Sequence, residues 1–377
     1  MKSWGSRRRF FACGLSTCLC LLFSTAARAD DEDKIRIAGL IDWYYQFSFN
    51  HPPSGTNLTP PRAFDIKNDT FSLSLVEVNL TRAATAKSPI GFTATLTFGK
   101  TADLVHFTEP GGTPNPGKLS NDTIYKYTQQ LYGTYVTPGS QPFTIDFGKF
   151  VTLMGFEVIE SSSNDNYSRG LLFTYAIPFY HAGLRITRPL SSTLAAQLHL
   201  VNGWNNVEDD NSGKSIGIQL AWNPNPAWTW VVNWMGGDES AGAALPANLN
   251  VQLVDLLGIW RPTDRLKLGI NVDYASAFKA GAVGGHWSGQ AVYLRYQLGK
   301  QSALAVRLEH FEDTNGLRTG TAQNLNSATA TFEYVVHDNL LHRLEFRHDK
   351  AGKTLFPSGG GGSTSMETIT FSQVIKF

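Results

Sequence analysis

A chain of 377 residues with a formal charge of only +1 is a poor nucleic-acid binder, the more so because part of its basic content lies in an N-terminal segment expected to be removed. Its three cysteines, Cys13, Cys18 and Cys20, all fall in that segment, so the mature chain has no thiol nucleophile, no disulfide and no cysteine-ligated metal. With 35 glycines, 12% aromatic residues and no Pro/Ser-rich linker, charge run or composition shift, it reads as one unit rather than two soluble domains.

Residues 1–29 carry Arg7, Arg8 and Arg9, an apolar stretch from Phe10 to Ala27, and the small-residue cleavage site Ala27-Arg28-Ala29. This is the pattern of a secretory signal peptide, leaving 30–377 as the mature chain. Ser6-Arg7-Arg8-Arg9-Phe10-Phe11 also matches a twin-arginine export motif. That route carries folded proteins, whereas a chain with an apolar exterior must cross unfolded, so the Sec route is expected. Leu15-Ser16-Thr17-Cys18 is a poor lipoprotein site, because Thr17 is not the small residue needed before the cysteine. After residue 29 no stretch approaches the run of about 18 uncharged apolar residues that a spanning helix requires. If the chain crosses a membrane, it crosses with strands.

The strands follow one after another. Ile35, Ile37, Ile41, Trp43, Tyr45 and Phe47 alternate with polar or small residues, as do Ile216, Ile218, Leu220 and Trp222. Trp228, Trp230, Val232 and Trp234 share one face, and Leu266, Leu268, Ile270, Val272 and Tyr274 another. Val292, Leu294, Tyr296 and Leu298 repeat the pattern, and the chain closes on Ile369, Phe371, Ile375 and Phe377. Gln373 interrupts that last apolar face. Aromatics gather near strand ends, as in the girdles of a membrane barrel.

Short breaks fall at 87–89, 138–142, 189–192, 223–226, 261–264, 299–301 and 337–339. Longer polar segments fall at about 50–69, 107–123, 152–170, 203–214, 236–249, 277–286, 312–325 and 349–366. Seven short turns alternating with eight long loops imply an all-β fold. The expected architecture is a transmembrane antiparallel up-and-down barrel of about sixteen strands with both termini in the periplasm. A soluble sandwich would show the same alternation, but not together with a signal peptide, strict short/long order and a terminal Phe.

With the apolar parity toward lipid, the other parity carries Arg36, Asp42, Glu77, His181, Arg185, Gln197, His199, Gln219, Lys267, Asp273, Arg295, Arg307, Glu309, Glu333, Arg343, Glu345 and Arg347. A dry core would charge several kcal/mol for each unpaired member, so a wet interior is expected. Sixteen strands enclose room for an aqueous channel. Each of these charges serves equally well as a paired wall residue or as part of a solute selector.

The third long loop, 152–170, is less polar than a free loop should be, holding Leu153, Met154, Phe156, Val158 and Ile159 beside Glu157, Glu160 and Asp165. It is expected to fold into the lumen as a constriction. Its acids would face the basic residues Arg185, Arg295, Arg307, Arg343 and Arg347, giving a transverse field that selects by charge and size.

Phe147-Gly148-Lys149-Phe150, Leu153-x-Gly155-x-Glu157-x-Ile159-Glu160, Asn164-x-Asn166-Tyr167-Ser168-Arg169 and Ile177-Pro178-Phe179-x-His181-x-Gly183-x-Arg185 resemble the central signature of the OmpL-like outer-membrane β-barrel porins. Gly39 to Tyr45, Phe71 to Leu80 and Val201-Asn202-Gly203-Trp204 extend the resemblance loosely, and the C-terminal third carries little of it. The resemblance implies a pore-forming class and an outer-membrane location, not a ligand.

Other classes find less support. No Gly-x-Ser-x-Gly elbow, His-Glu-x-x-His or phosphate-binding glycine loop is present, and no serine accompanies His310, His342 or His348. Glu309-His310 and His342-x-x-Glu345 read as wall residues rather than metal ligands, so neither enzyme nor cofactor is expected. Asp30 to Asp33 is too short for an adhesive domain or a plug. The expected function is passive diffusion of small hydrophilic solutes or ions across a bacterial outer membrane. A substrate-specific channel, for instance for an oligosaccharide, is the alternative, with Tyr44, Tyr132, Tyr293 and Phe311 as an aromatic track. A homotrimer through the Trp-rich strands at 216–234 is also open, though lipid contact explains them as well.

Overall fold

The computed structural model describes residues 34–57, 62–107, 122–209, 211–239, 249–279 and 282–377, so the signal-peptide expectation lies outside the described residues. The strands are β1 (Arg36–Ser48), β2 (Phe71–Arg82), β3 (Ile90–Phe98), β4 (Thr128–Val136), β5 (Thr144–Val151), β6 (Tyr180–Pro189), β7 (Leu194–Val201), β8 (Ser215–Asn225) and β9 (Trp228–Glu239). They continue with β10 (Leu249–Thr263), β11 (Leu266–Lys279), β12 (Ala282–Gln297), β13 (Ser302–Asp313), β14 (Gln323–His337), β15 (Leu340–Ala351), a small hairpin β16 (Phe356–Ser358) and β17 (Gly361–Ser363), and the closing strand β18 (Ser365–Lys376).

Each strand of the wall pairs antiparallel with its chain neighbours, and β1 pairs with β18, closing a sixteen-stranded barrel that leaves out only the β16–β17 hairpin. Closure leaves no wall strand with an unpaired edge, which is what a hydrocarbon medium demands of a sheet. The seam runs from Leu40 opposite Lys376 to Ser48 opposite Thr368. The terminal residue joins it, Gly39 and Phe377 exchanging N–H···O bonds of 2.9 and 3.0 Å.

The period of two is visible in burial. Along β8, Ile216, Ile218, Leu220 and Trp222 are exposed on the outside while Ser215, Gln219 and Ala221 are buried inside. Gln373, the polar interruption of the outer face, stands opposite His342, and their Nε2 atoms are 2.9 Å apart. The pair shields two polar groups that would otherwise face lipid alone.

The turns fall where the sequence places them, but two long loops are wider than expected: β3 ends at Phe98 and β4 begins at Thr128, against an expected loop at 107–123, and the third loop also lengthens. Alternation assigns residues after 170 to a strand, yet β6 begins only at Tyr180. Between them, Ser161–Ser163 form a turn of 3-10 helix and Leu172–Ala176 a turn of π-helix. Leu171, Leu172, Phe173, Tyr175, Ala176, Ile177 and Phe179 are all buried. A strand would send every second one of these into lipid. The helical turn lets the whole run pack inside, and Pro178, lacking an N–H, cannot extend a ladder through it.

Candidate functional site

The third loop therefore spans 152–179, and it lies against the inner wall. Its base is closed by Thr152 N–H donating to the Phe179 carbonyl at 3.0 Å. Gly155 adopts φ +90°, and a Cβ there would stand 2.4 Å from Ile177 Cδ1, so this bend takes glycine for both reasons. Asn164 braces the next turn, its Oδ1 accepting from Val158 N–H at 2.9 Å and its Nδ2 donating to the Val158 carbonyl at 2.8 Å.

A polar seam holds the first turn of the loop. Gln219 on β8 donates to the Leu153 carbonyl at 3.2 Å. Gly155 N–H donates to Asp255 Oδ2 on β10 at 2.8 Å, and Phe156 N–H to Asn271 Oδ1 on β11 at 3.2 Å. The Phe156 ring stacks on Tyr293 of β12 with centroids 4.0 Å apart. Gly269 makes room for it, since a Cβ there would meet that ring at 2.6 Å.

Charged pairs hold the middle. Glu157 Oε1 meets Arg307 Nη1 at 2.5 Å, while Arg307 Nε lies 2.8 Å from Glu309 Oε2. Arg307 also donates to the Ser168 carbonyl at 2.6 Å. Burial pushes the Glu157 carboxyl above its ordinary range, with Arg307 opposing and Glu309 adding to the shift. Asp165 pairs with Lys267 at 2.7 Å. Arg343 donates to the carbonyls of Ser161 and Asn164 at 2.6 and 2.7 Å, and Arg347 to that of Arg169 at 2.8 Å. Glu345 receives the N–H groups of Tyr167 and Ser168 at 2.6 and 3.0 Å, and Asp42 receives Ser161 Oγ–H at 2.7 Å.

The last stretch is held chiefly by packing, with Leu171 N–H donating to Glu309 Oε1 at 2.7 Å and Arg318 Nε to the Tyr175 carbonyl at 2.6 Å. Leu171, Leu172, Phe173, Tyr175, Ile177 and Phe179 join Met235, Leu253, Ala275, Trp287, Tyr293 and Phe311 in one buried cluster inside the barrel. Each fully buried side chain of this size contributes about 1.5–3 kcal/mol relative to exposure. This explains why β10 points Val251 and Leu253 inward, against the polar-inside rule for a channel wall.

Of the expected partners, Arg307 alone forms an ion pair with a loop acid among the described residues. Arg343 and Arg347 grip loop carbonyls instead, while Arg295 pairs with Glu333 on β14 and Arg185 with Asp146 on β5 at 2.8 Å. Glu160 accepts from Gln129 on β4 and lies against Glu77 on β2 rather than against a base. The inner charges are buried where solvated side chains are expected: Asp42, Arg307 and Asp349 have no exposed surface and Arg347 1%. The reason is that the loop brings its own donors and acceptors to them, replacing water partner by partner.

The four inner aromatics are also committed. Tyr44 packs on Tyr167, Tyr132 under Arg185, Tyr293 on Phe156 and Phe311 on Tyr175. They form no continuous stacking track. Sequence reasoning missed Asp255 and Asn271 as loop anchors. Asp255 is a lone acid among the apolar inward positions of β10, whereas Asn271 shares the inner face of β11 with Lys267 and Asp273.

A family model described as "Putative beta-barrel porin-2, OmpL-like" matches residues 34–377. The chain belongs to this OmpL-like porin family. It is thus a porin of the bacterial outer membrane, as its barrel and apolar outer face require. No curated protein matches its sequence. Among solved structures, the anion-selective porin from Comamonas acidovorans superposes with a TM-score of 0.61 at 9% identity, over 91% of this chain and 99% of that one. The outer membrane channel DcaP of Acinetobacter baumannii gives 0.60 at 8%, over 94% and 100%. In-vitro folded OmpT of Vibrio cholerae, in a trimer form, gives 0.56 at 10%, over 91% and 99%. At such identities these likenesses show the fold alone.

Proposed function

We propose that this porin passes small hydrophilic solutes or ions by passive diffusion, and that the third loop sets the constriction through Glu157, Glu160 and Asp165. The observation that carries the reading is a loop fastened to the inner wall along its whole length, inside a barrel whose exterior is apolar. Such a loop narrows the lumen at a fixed height.

Its acids are not fully matched by bases. Glu160 meets Glu77 and Gln129, so this part of the constriction carries negative potential, which favours cations. The test is reversal potential in planar bilayers under a salt gradient, comparing the native protein with a Glu157→Gln, Glu160→Gln double variant. A shift away from cation preference is expected; an unchanged potential would mean that these acids do not face the permeation path. Competing sugars in the same measurement separate a general diffusion pore from a substrate-specific one, which would show saturable block.

We also infer cleavage after Ala29, checked by N-terminal sequencing of the outer-membrane form, and association as a homotrimer. The Trp-rich strands β8 and β9, with Trp222 exposed to the outside, are the proposed contact. Mass measurement in detergent tests it, and a monodisperse single chain would remove the proposal.

A further inference from the structure

Behind the loop's first turn, two carboxylates stand side by side. Asp255 on β10 and Asp273 on β11 are directly opposite in register, and such pairs hold their Cβ atoms about 4.5–5.5 Å apart. Both are buried, with 0% and 1% exposure. Asp255 is well supplied: it receives Gly155 N–H and Asn233 Nδ2 at 2.8 Å each, and Asn271 Nδ2 at 2.7 Å. Asp273 has neither oxygen within hydrogen-bond geometry of any donor among the described residues. The groups facing it are the Asp255 carboxyl and the Asn271 amide. On its other side lies Gly289, with Leu172 of the loop packed over the place where a side chain would be.

Two adjacent anions without a base cannot stay uncompensated in a buried site, since each would cost several kcal/mol. Elsewhere in the lumen Glu157 and Glu309 share Arg307, and Asp349 has Arg347 and Arg62. The pair offers carboxylate oxygens, which are hard ligands of the kind calcium selects over softer metals.

We propose that Asp255 and Asp273 form a binding site for a hard, oxygen-liganded cation of the calcium class. Because Asp255 also holds Gly155, the bound cation ties the loop's first turn to the wall. The site depends on the position of the loop and not on which solute the porin passes, so a failure of the conductance reading leaves the binding measurement interpretable.

The probe is Tb3+ added to the detergent-folded full chain, read as luminescence sensitised by tyrosine and then displaced by Ca2+. Tyr293, on the inner face of the neighbouring strand β12, is the sensitising donor. Asp273→Asn keeps the size of the side chain and is expected to keep the barrel's gel mobility while weakening Tb3+ binding at least about tenfold, as even outer-shell changes do at metal sites. Asp273→Ser serves as a second variant, in case the Asn oxygen still ligates. Ca2+ at saturating concentration is expected to reduce brief opening events in single-channel records of the native protein and not of the variants. Equal Tb3+ binding by native protein and both variants, or no luminescence from the native protein, overturns the proposal. A native-only pH dependence of conductance without Tb3+ binding also overturns it, and assigns the pair to a shared proton instead.

Discussion

The two ends of the third loop are fastened by different balances of the same forces. Residues 153–170 are held chiefly by hydrogen bonds and charges aimed at individual wall atoms, whereas 171–179 are held chiefly by apolar packing, with Glu309 and Arg318 gripping the backbone at Leu171 and Tyr175. Directional bonds fix position but are costly to break singly; packing is tolerant of small changes and fails in proportion to the volume removed. The proposed constriction draws on both: the packed stretch keeps the loop inside, and the polar stretch fixes its height.

The sharpest way to break the polar half is Arg307→Met, which leaves Glu157 and Glu309 buried without their cation. The expected loss is about 3–5 kcal/mol of loop docking. It should appear as larger and noisier single-channel conductance with the barrel still folded by heat-modifiable gel mobility. Adding Glu157→Gln should recover part of the loss; no recovery would mean that the pair is not what fastens this stretch.

Leu172→Ala attacks the apolar half. Removing a buried Leu costs about 2–5 kcal/mol, depending on how far the site collapses. The same conductance change is expected, but independent of pH, and an equal pH dependence in both variants would erase the contrast between the halves.

The pH response itself is the next effect. Burial holds the Glu157 carboxyl above its ordinary range, so the docked loop binds that proton more tightly than a released loop would. Docking should therefore strengthen as pH falls toward the usual carboxylate pKa near 4.3 and weaken as pH rises above it. Conductance titrated between about pH 8 and about pH 5 should fall for the native protein, and this dependence should be smaller in Glu157→Gln. The smallest expected effect is Phe156→Leu, which removes the stack on Tyr293 and about 0.5–1.5 kcal/mol. Measured flicker should rise slightly with mean conductance unchanged.

Much of the barrel was legible because its signals are local. Alternation at Ile216 to Trp222 or Leu266 to Tyr274 reports the outward face directly, and the strict order of short turns and long loops counts the strands. The apolar content of 152–170 pointed to a loop that packs on something. What misled was the run from Leu171 to Phe179, whose hydrophobicity suits a strand as well as a buried helical turn. Periodicity cannot separate the two over so few residues. The individual partners were not legible either: Arg295 and Arg185 share type and parity with Arg307, yet only Arg307 faces Glu157.

By itself the sequence determined that this chain crosses a membrane as a closed sheet, because side-chain direction along a strand follows from covalent geometry with a period of two. Tertiary structure alone decided which inner charges meet the loop and which meet each other. Those choices depend on register between strands distant in sequence and on where one loop comes to rest, and neither is written in any local stretch of residues.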